Sequence, residues 1–207
     1  MRYRYKINGI VQGVGFRPTV YKIAKRLNLR GFVLNSGEGV IIEIEGKDAS
    51  KFLNELKNNL PPLAKIESIE KEILPLANYK NFEIKESKNS SKTTSISPDK
   101  SICEDCKKEL FDKNNRRYLY PFINCTNCGP RYTIIENIPY DRKNTSMKKF
   151  KMCDECYQEY TNPLNRRYHA EPISCYDCGP KLSVLGGEGF KELPFNNEIE
   201  KIKFIAD

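Results

Sequence analysis

Hydrophobic and polar positions alternate along the first residues of the chain. Tyr3, Tyr5 and Ile7 fall on one face and Arg4 and Lys6 on the other, the two-residue period of a strand. Val20, Ile23, Ala24 and Leu27 then recur at helical spacing, and Pro18 suits the first turn of that helix. RGFVLNS and GVIIEIEG read as two strands joined at Ser36–Gly39, a hairpin. Asp48 is the expected N-cap of a second helix that carries Phe52, Leu53, Leu56 and Leu60. AKIESIEKEIL alternates as a further strand, and NFEIKES as a shorter one. The order β-α-β-β-α-β with a short last strand predicts an α+β, ferredoxin-like split βαβ unit over residues 1–87.

The pattern changes after that unit. SKNSSKTTSISPD is rich in Ser, Thr and Lys, and residues 88–100 read as a linker. All eight cysteines follow it, within an expected module over 101–190. Cys103, Cys106, Cys125 and Cys128 reappear fifty positions on as Cys153, Cys156, Cys175 and Cys178. The runs NRRY (Asn115–Tyr118 and Asn165–Tyr168) and CGP (Cys128–Pro130 and Cys178–Pro180) repeat with the same offset, which indicates a duplicated unit. NNEIEKIKFIAD reads as the opening of a helix that stops in mid-pattern. Residues 191–207 are therefore expected to begin another domain, and the chain to be part of a longer protein.

A length of 207 residues accommodates one ordinary domain or two small ones. At 39% hydrophobic and 30% charged residues the chain reads as soluble and globular, and no apolar run reaches the roughly 20 residues that span a bilayer. The start MRYRYKING lacks the apolar core of a secretory signal, so the cytoplasm is the expected compartment. The formal net charge of +8 points at first toward nucleic acid or another anionic partner. Eight thiolates on two divalent ions would halve it, which removes most of that support. Without a secretory signal, paired C-x-x-C argues for metal rather than disulfides.

Val11–Pro18, VQGVGFRP, lies between the first strand and the first helix. A glycine-rich loop in that place exposes successive backbone N–H groups, and the helix N-terminus adds partial positive charge. Arg17 adds a planar fork suited to phosphate. The expected ligand is a small phosphate or carboxylate. A tight turn with a solvated arginine is the competing reading. Thr19 is expected to be structural.

V-Q-G-V-x-F-R at Val11–Arg17 and G-x-V-x-N at Gly31–Asn35 resemble the paired motifs of the acylphosphatase family, over residues 3 to 86. The resemblance implies the fold derived above and hydrolysis of acyl phosphates. It makes Arg17 the phosphoryl-binding residue, assisted by the backbone N–H groups of Gln12, Gly13, Val14, Gly15 and Phe16. It makes Asn35 the residue that holds the attacking water. Such chemistry needs positioning and charge stabilisation, and an acyl phosphate already has a good leaving group. Without the resemblance, Asn35 reads as a residue chosen for the turn before Gly37.

Each cysteine quartet has the form C-x2-C, 18 residues, C-x2-C, a zinc pattern. Four thiolates fill a tetrahedral ion and leave no open position, so two structural zinc ions are expected. An iron–sulfur cluster, a redox dithiol and plain buried cysteines are the alternatives. Repetition favours Cys103, Cys106, Cys125 and Cys128 on one ion and Cys153, Cys156, Cys175 and Cys178 on the other, rather than a cross-braced set. The NRRY runs, Arg131 and Arg142 read as a solvated rim or as partners of carboxylates in preference to a nucleic-acid surface. His169, the one histidine, is expected to be a buried group or a domain contact and not a ligand.

The two halves together, with RYHAEPISCYDCGP in the second, are similar to the carbamoyltransferase family that matures nickel–iron hydrogenases, over residues 3 to 185. That resemblance implies hydrolysis of carbamoyl phosphate in the first domain and a zinc module leading to nucleotide-binding domains. It implies a carbamoyl adenylate made from ATP, with Mg and ATP bound in domains this chain lacks. It also implies transfer to the C-terminal cysteine of a partner maturation protein, where the carbamoyl group becomes cyanide. Neither a membrane nor nucleic acid is an expected partner. A stand-alone acylphosphatase with an accessory zinc module, and a non-enzymatic nucleic-acid-binding zinc protein, are the competing readings.

Overall fold

The computed structural model describes residues 1–87, 97–186 and 191–206. Strands β1 (Arg2–Ile10), β2 (Arg30–Ser36), β3 (Gly39–Glu45), β4 (Lys65–Leu74) and β5 (Phe82–Ile84) form one sheet in the order β4-β1-β3-β2-β5. β1 runs antiparallel to β3 and β4, β2 and β3 form the predicted hairpin, and β5 adds parallel to β2. Helices α1 (Phe16–Arg26) and α2 (Phe52–Asn58) pack against this sheet. The observed order is the split βαβ unit that the alternation predicts.

The packing follows from the period. Tyr3, Tyr5 and Ile7 of β1 are buried while Arg4 and Lys6 are not. They meet Ile42 and Ile44 of β3, Val20, Ile23 and Ala24 of α1, and Phe52 and Leu56 of α2. The rings of Tyr5 and Phe52 lie 5.8 Å apart at the centre of this layer. β2 and β3 are buried almost throughout, as expected of central strands covered on both faces. β4, an edge strand, is largely exposed, and its charged residues protect the open edge. Gly31 has a structural role in β2: its φ is +135°, and a Cβ there would stand 2.0 Å from the Glu43 carbonyl oxygen.

Asp48 departs from expectation. A 3-10 turn (Ala49–Lys51) precedes α2, and the Asp48 side chain makes no capping bond. It pairs with Lys51 at 2.8 Å, because the tighter turn brings that ammonium to it before the α-helix begins. Leu60 lies beyond the end of α2 yet still packs on the core.

The cysteine-rich half holds helices α3 (Glu104–Phe111) and α4 (Asp154–Thr161) at equivalent points of the two repeats. Short 3-10 turns and extended segments make up most of the rest. The repeat extends to backbone strain: Leu119 and His169, fifty residues apart, both have φ +54°. A two-stranded ribbon of β6 (Leu185–Gly186) and β7 (Lys191–Glu192) follows, then α5 (Glu198–Ala206), the helix expected from the last residues. Most of the predicted linker, residues 88–96, lies outside the described residues. No described helix is long and apolar enough to cross a membrane.

Replacing Phe52, fully buried against Tyr5, with alanine is expected to cost about 3–5 kcal/mol of stability. Urea denaturation followed by tyrosine fluorescence measures it.

Candidate functional site

The loop after β1 is shaped by Gly13 and Gly15, with φ +72° and +78°. α1 opens at Phe16 with Gly15 as its N-cap, no capping side chain and no acidic residue in its first turn. The helix thus presents its positive end to the loop without an internal counter-charge. The Gln12 side chain is a strut: its Nε2 donates to the Ser36 and Gly39 carbonyl oxygens at 2.7 and 2.8 Å and ties the loop to the β2–β3 hairpin.

The second half of the chain lies directly on this loop. A Cβ on Gly13 would stand 2.8 Å from Pro130 and 2.9 Å from Tyr140. The Tyr140 N–H donates to Gln12 Oε1 at 2.9 Å. Asn35, fully buried on β2, donates from Nδ2 to the Tyr140 carbonyl oxygen at 3.3 Å, and its Oδ1 is buried without a partner. Arg17 reaches the next residue, with Nη1 3.1 Å from Asp141 Oδ1, and its Nη2 donates to Glu171 Oε1 at 2.8 Å. Arg17 and Asn35, predicted from separate motifs, therefore converge on neighbouring residues of one segment.

A cavity of about 230 Å³ opens beside Arg17, lined also by Glu171, Tyr160, His169, Arg142 and Lys143. Glu171 is buried, and its Oε2 accepts from the Tyr160 hydroxyl at 3.0 Å and the Arg142 N–H at 2.9 Å. Burial alone would lower the pKa of Arg17, but Glu171 and Asp141 outweigh it and hold the guanidinium above its ordinary value. Burial raises the Glu171 carboxyl, Arg17 opposes that rise, and Asp141 adds to it. Burial and the nearby Arg17 push His169 down to about 3, so its ring is neutral. That ring packs on Tyr160 and Tyr168, and Tyr168 meets Tyr21 of α1. Of the two expectations for His169, the structure is nearer the buried group, with the ring half-buried, and the aromatic contact to the first domain is made by its neighbour Tyr168. Asp141, Tyr140 and Tyr160 escape sequence reasoning, because each stands among ordinary loop and helix residues with no motif of its own. Glu171 lies within the quoted RYHAEPISCYDCGP stretch, but nothing in that stretch pointed to Arg17 as its partner.

The cysteines gather as two quartets, Cys103, Cys106, Cys125, Cys128 and Cys153, Cys156, Cys175, Cys178, with the sulfurs of each within 4.8 Å of one another. Metal–sulfur bonds of about 2.3 Å give a tetrahedron whose sulfurs lie about 3.8 Å apart. The Cys103–Cys125, Cys125–Cys128 and Cys106–Cys128 separations are 3.5, 3.8 and 3.5 Å; Cys153–Cys175 and Cys175–Cys178 are 3.7 and 3.8 Å. This fits one ion per quartet, with each repeat closing its own site. Cys103 and Cys153 are also the N-caps of α3 and α4, so each helix begins at a sulfur of its quartet.

The NRRY arginines are not a solvated rim. Arg117 and Arg167 are almost fully buried, and each crosses to the other repeat. Arg117 Nε donates to the Ser174 carbonyl oxygen at 2.9 Å, and its Nη1 to Glu159 at 3.0 Å. Arg167 makes the symmetric bonds, Nε to the Asn124 carbonyl oxygen at 3.0 Å and Nη2 to Glu109. Their neighbours cross as well. Arg116 Nη2 donates to Cys156 Sγ at 2.8 Å, and Arg166 Nη1 to Cys106 Sγ at 3.0 Å. Four thiolates on one divalent ion would carry net negative charge, which these guanidinium groups would offset. Arg142 is also structural, donating to the carbonyl oxygens of Glu171, Ile173 and Phe150 at 2.7, 2.9 and 2.8 Å.

Fold, loop and paired quartets define an acylphosphatase-type domain joined to duplicated metal-binding fingers, and similarity to known proteins agrees. Residues 3–84 match the acylphosphatase family model, and residues 102–135 and 152–185 match the model described as HypF finger. The acylphosphatase of Thermotoga petrophila is 38% identical over 85 residues, which cover 40% of this chain and 93% of that protein. The probable carbamoyltransferase HypF of Methanocaldococcus jannaschii is 53% identical over 149 residues, 70% of this chain and 20% of that protein. A crystal structure of full-length HypF in the phosphate- and nucleotide-bound form superposes with a TM-score of 0.89 at 50% identity, covering 97% of this chain and 26% of that one. The chain belongs to the acylphosphatase family, and it carries that domain in the arrangement with HypF fingers found in HypF carbamoyltransferases. It spans about a fifth of the length of the curated HypF relatives it matches.

Replacing Arg116 with methionine is expected to expose the quartet of the other repeat. Timed alkylation with peptide mapping should label Cys153, Cys156, Cys175 and Cys178 several-fold faster, with Cys103, Cys106, Cys125 and Cys128 unchanged. His169 supplies an acid-sensitive increment. Below its ordinary pKa of 6.5 the unfolded chain takes a proton that the folded chain, at about 3, refuses, so stability falls with falling pH. Between pH 7 and pH 5 the parent should lose about 2 kcal/mol relative to His169→Asn in urea titrations. Asparagine also tolerates the positive φ there.

Proposed function

We propose that the first domain binds and hydrolyses an acyl phosphate, with carbamoyl phosphate as the substrate. Its phosphoryl group sits on Arg17 and the backbone N–H groups of Gln12 to Phe16, at the positive end of α1. Asn35 holds the attacking water. The observation that carries this reading is the buried Oδ1 of Asn35, an acceptor without a partner beside the loop. A buried polar atom left in that state costs about 1–3 kcal/mol. A water donating to Oδ1 removes that cost and turns its own lone pair outward, toward the phosphorus. The amide does this without a shifted pKa. The phosphoryl transition state spreads charge over its oxygens, and Arg17 with the loop N–H groups meets that charge.

The fingers take a structural part. Each quartet would hold one zinc ion, and four sulfurs leave it no position for water or substrate. What the ion supplies is fold stability. We read residues 1–87 as the acylphosphatase domain, 88–100 as the linker, 101–190 as the finger module and 191–207 as the start of a following domain. In the whole protein, adenylation of the carbamoyl group by ATP with Mg, and its transfer to the C-terminal cysteine of a hydrogenase maturation partner, belong to domains beyond these residues. The cytoplasm is the compartment that suits thiolate-held metal. The nucleic-acid reading loses support, since the arginines that suggested it are committed to internal carboxylates, carbonyl oxygens and thiolates.

Phosphate release from carbamoyl phosphate, with acetyl phosphate alongside, tests the assignment. Arg17→Ala and Asn35→Ala are each expected to lower release by about 100-fold or more, with both quartets still metal-loaded. A folded, loaded parent that releases no phosphate would refute it.

A further inference from the structure

Arg17 belongs to the first domain, yet two carboxylates from the finger module grip it. Asp141 takes Nη1 at 3.1 Å and Glu171 takes Nη2 at 2.8 Å. A guanidinium has five N–H donors, so three remain for an anion after these two contacts. Glu171 is not a loose plug on the site. Its second oxygen is fastened by the Tyr160 hydroxyl and the Arg142 N–H. The Arg142 guanidinium then clamps the carbonyl oxygens of Glu171 and Ile173. Ile173 lies two residues before Cys175, a member of the second sulfur quartet. A carboxylate held from behind in this way fixes the arginine in front of it, so that less side-chain entropy is lost when the anion arrives.

We propose that Glu171 and Asp141 are positioning residues for Arg17, so that the acyl-phosphate site is a composite of both halves of the chain. The proposal rests on the hydrolase reading above and adds that the first domain alone holds an incomplete site. Neither carboxylate touches the phosphoryl group. They act by aiming the guanidinium, and the fingers thereby carry a role in the chemistry as well as in the fold.

The test is a double-mutant cycle on the full chain, scored by kcat/KM for phosphate release from carbamoyl phosphate. Glu171→Leu and Asp141→Ala are each expected to lower kcat/KM by about 10–100-fold in the parent. In an Arg17→Ala background the same changes should alter it by less than about 2-fold, because their effect passes through the missing guanidinium. Asp141 is the more exposed of the pair, so Asp141→Ala keeps the test valid if Glu171→Leu misfolds. Equal losses with and without Arg17 would show a merely structural role and overturn the proposal. Faster release by either variant would show that the carboxylates obstruct the arginine, and would overturn it too. Calorimetric titration with inorganic phosphate separates this proposal from the hydrolase reading. A parent that binds phosphate but releases none defeats the hydrolase reading alone. Unchanged phosphate affinity in Asp141→Ala defeats the positioning role.

Discussion

Each finger of this chain is organised around four cysteine sulfurs within 4.8 Å of one another, and the rest of the arrangement depends on those two clusters. The apolar core of the molecule lies in the first domain, between the sheet and its two helices. In the second half the buried clusters consist largely of the cysteines and a few neighbours such as Tyr120, Ile123, Ala170 and Ile173. Segments with so little regular structure bury little apolar surface against their conformational entropy, and an ion held by each quartet would supply stability of the kind they lack. Tyr140, Asp141 and Glu171 reach the first domain from this half, and Arg142 ties Glu171 to Ile173, two residues before Cys175.

The duplication does not produce two independent units. Each repeat closes its own sulfur quartet, but its paired arginines serve the other. Arg117 lies on Glu159 while Arg167 lies on Glu109, and Arg116 and Arg166 donate to sulfurs of the opposite repeat. Buried guanidinium groups are tolerated only where carboxylates, carbonyl oxygens and thiolates surround them. The fingers supply all three, so the repeats specify each other's interior.

Much of the first domain was legible because its signals are local. Alternation of period two marked Tyr3, Tyr5 and Ile7 as inward. Helical spacing marked Val20, Ile23 and Ala24, and the Ser36–Gly39 hairpin followed from the two flanking strands. Asp48 was misjudged because the choice between a helix cap and a 3-10 turn with Lys51 is decided by how the chain enters the layer. The cysteine quartets were legible from spacing and repetition. For the NRRY arginines the sequence left a solvated rim and carboxylate partners both open, since a run of charge reads the same whether it faces water or a buried carboxylate; the structure selects the carboxylates.

The sequence by itself therefore determined the split βαβ order, the loop that carries Arg17, the strand position of Asn35 and the grouping of eight cysteines into two sets. Each of these is written in residues near one another along the chain or in an internal repeat of constant offset. Only the tertiary structure decided that Tyr140 meets Asn35, that Asp141 and Glu171 hold Arg17, and that each repeat's arginines cross to its partner. Glu171 lies 154 positions from Arg17. No periodicity or local propensity spans such a separation. The pairing exists because a buried guanidinium needs anionic partners and the fold brings these two within reach.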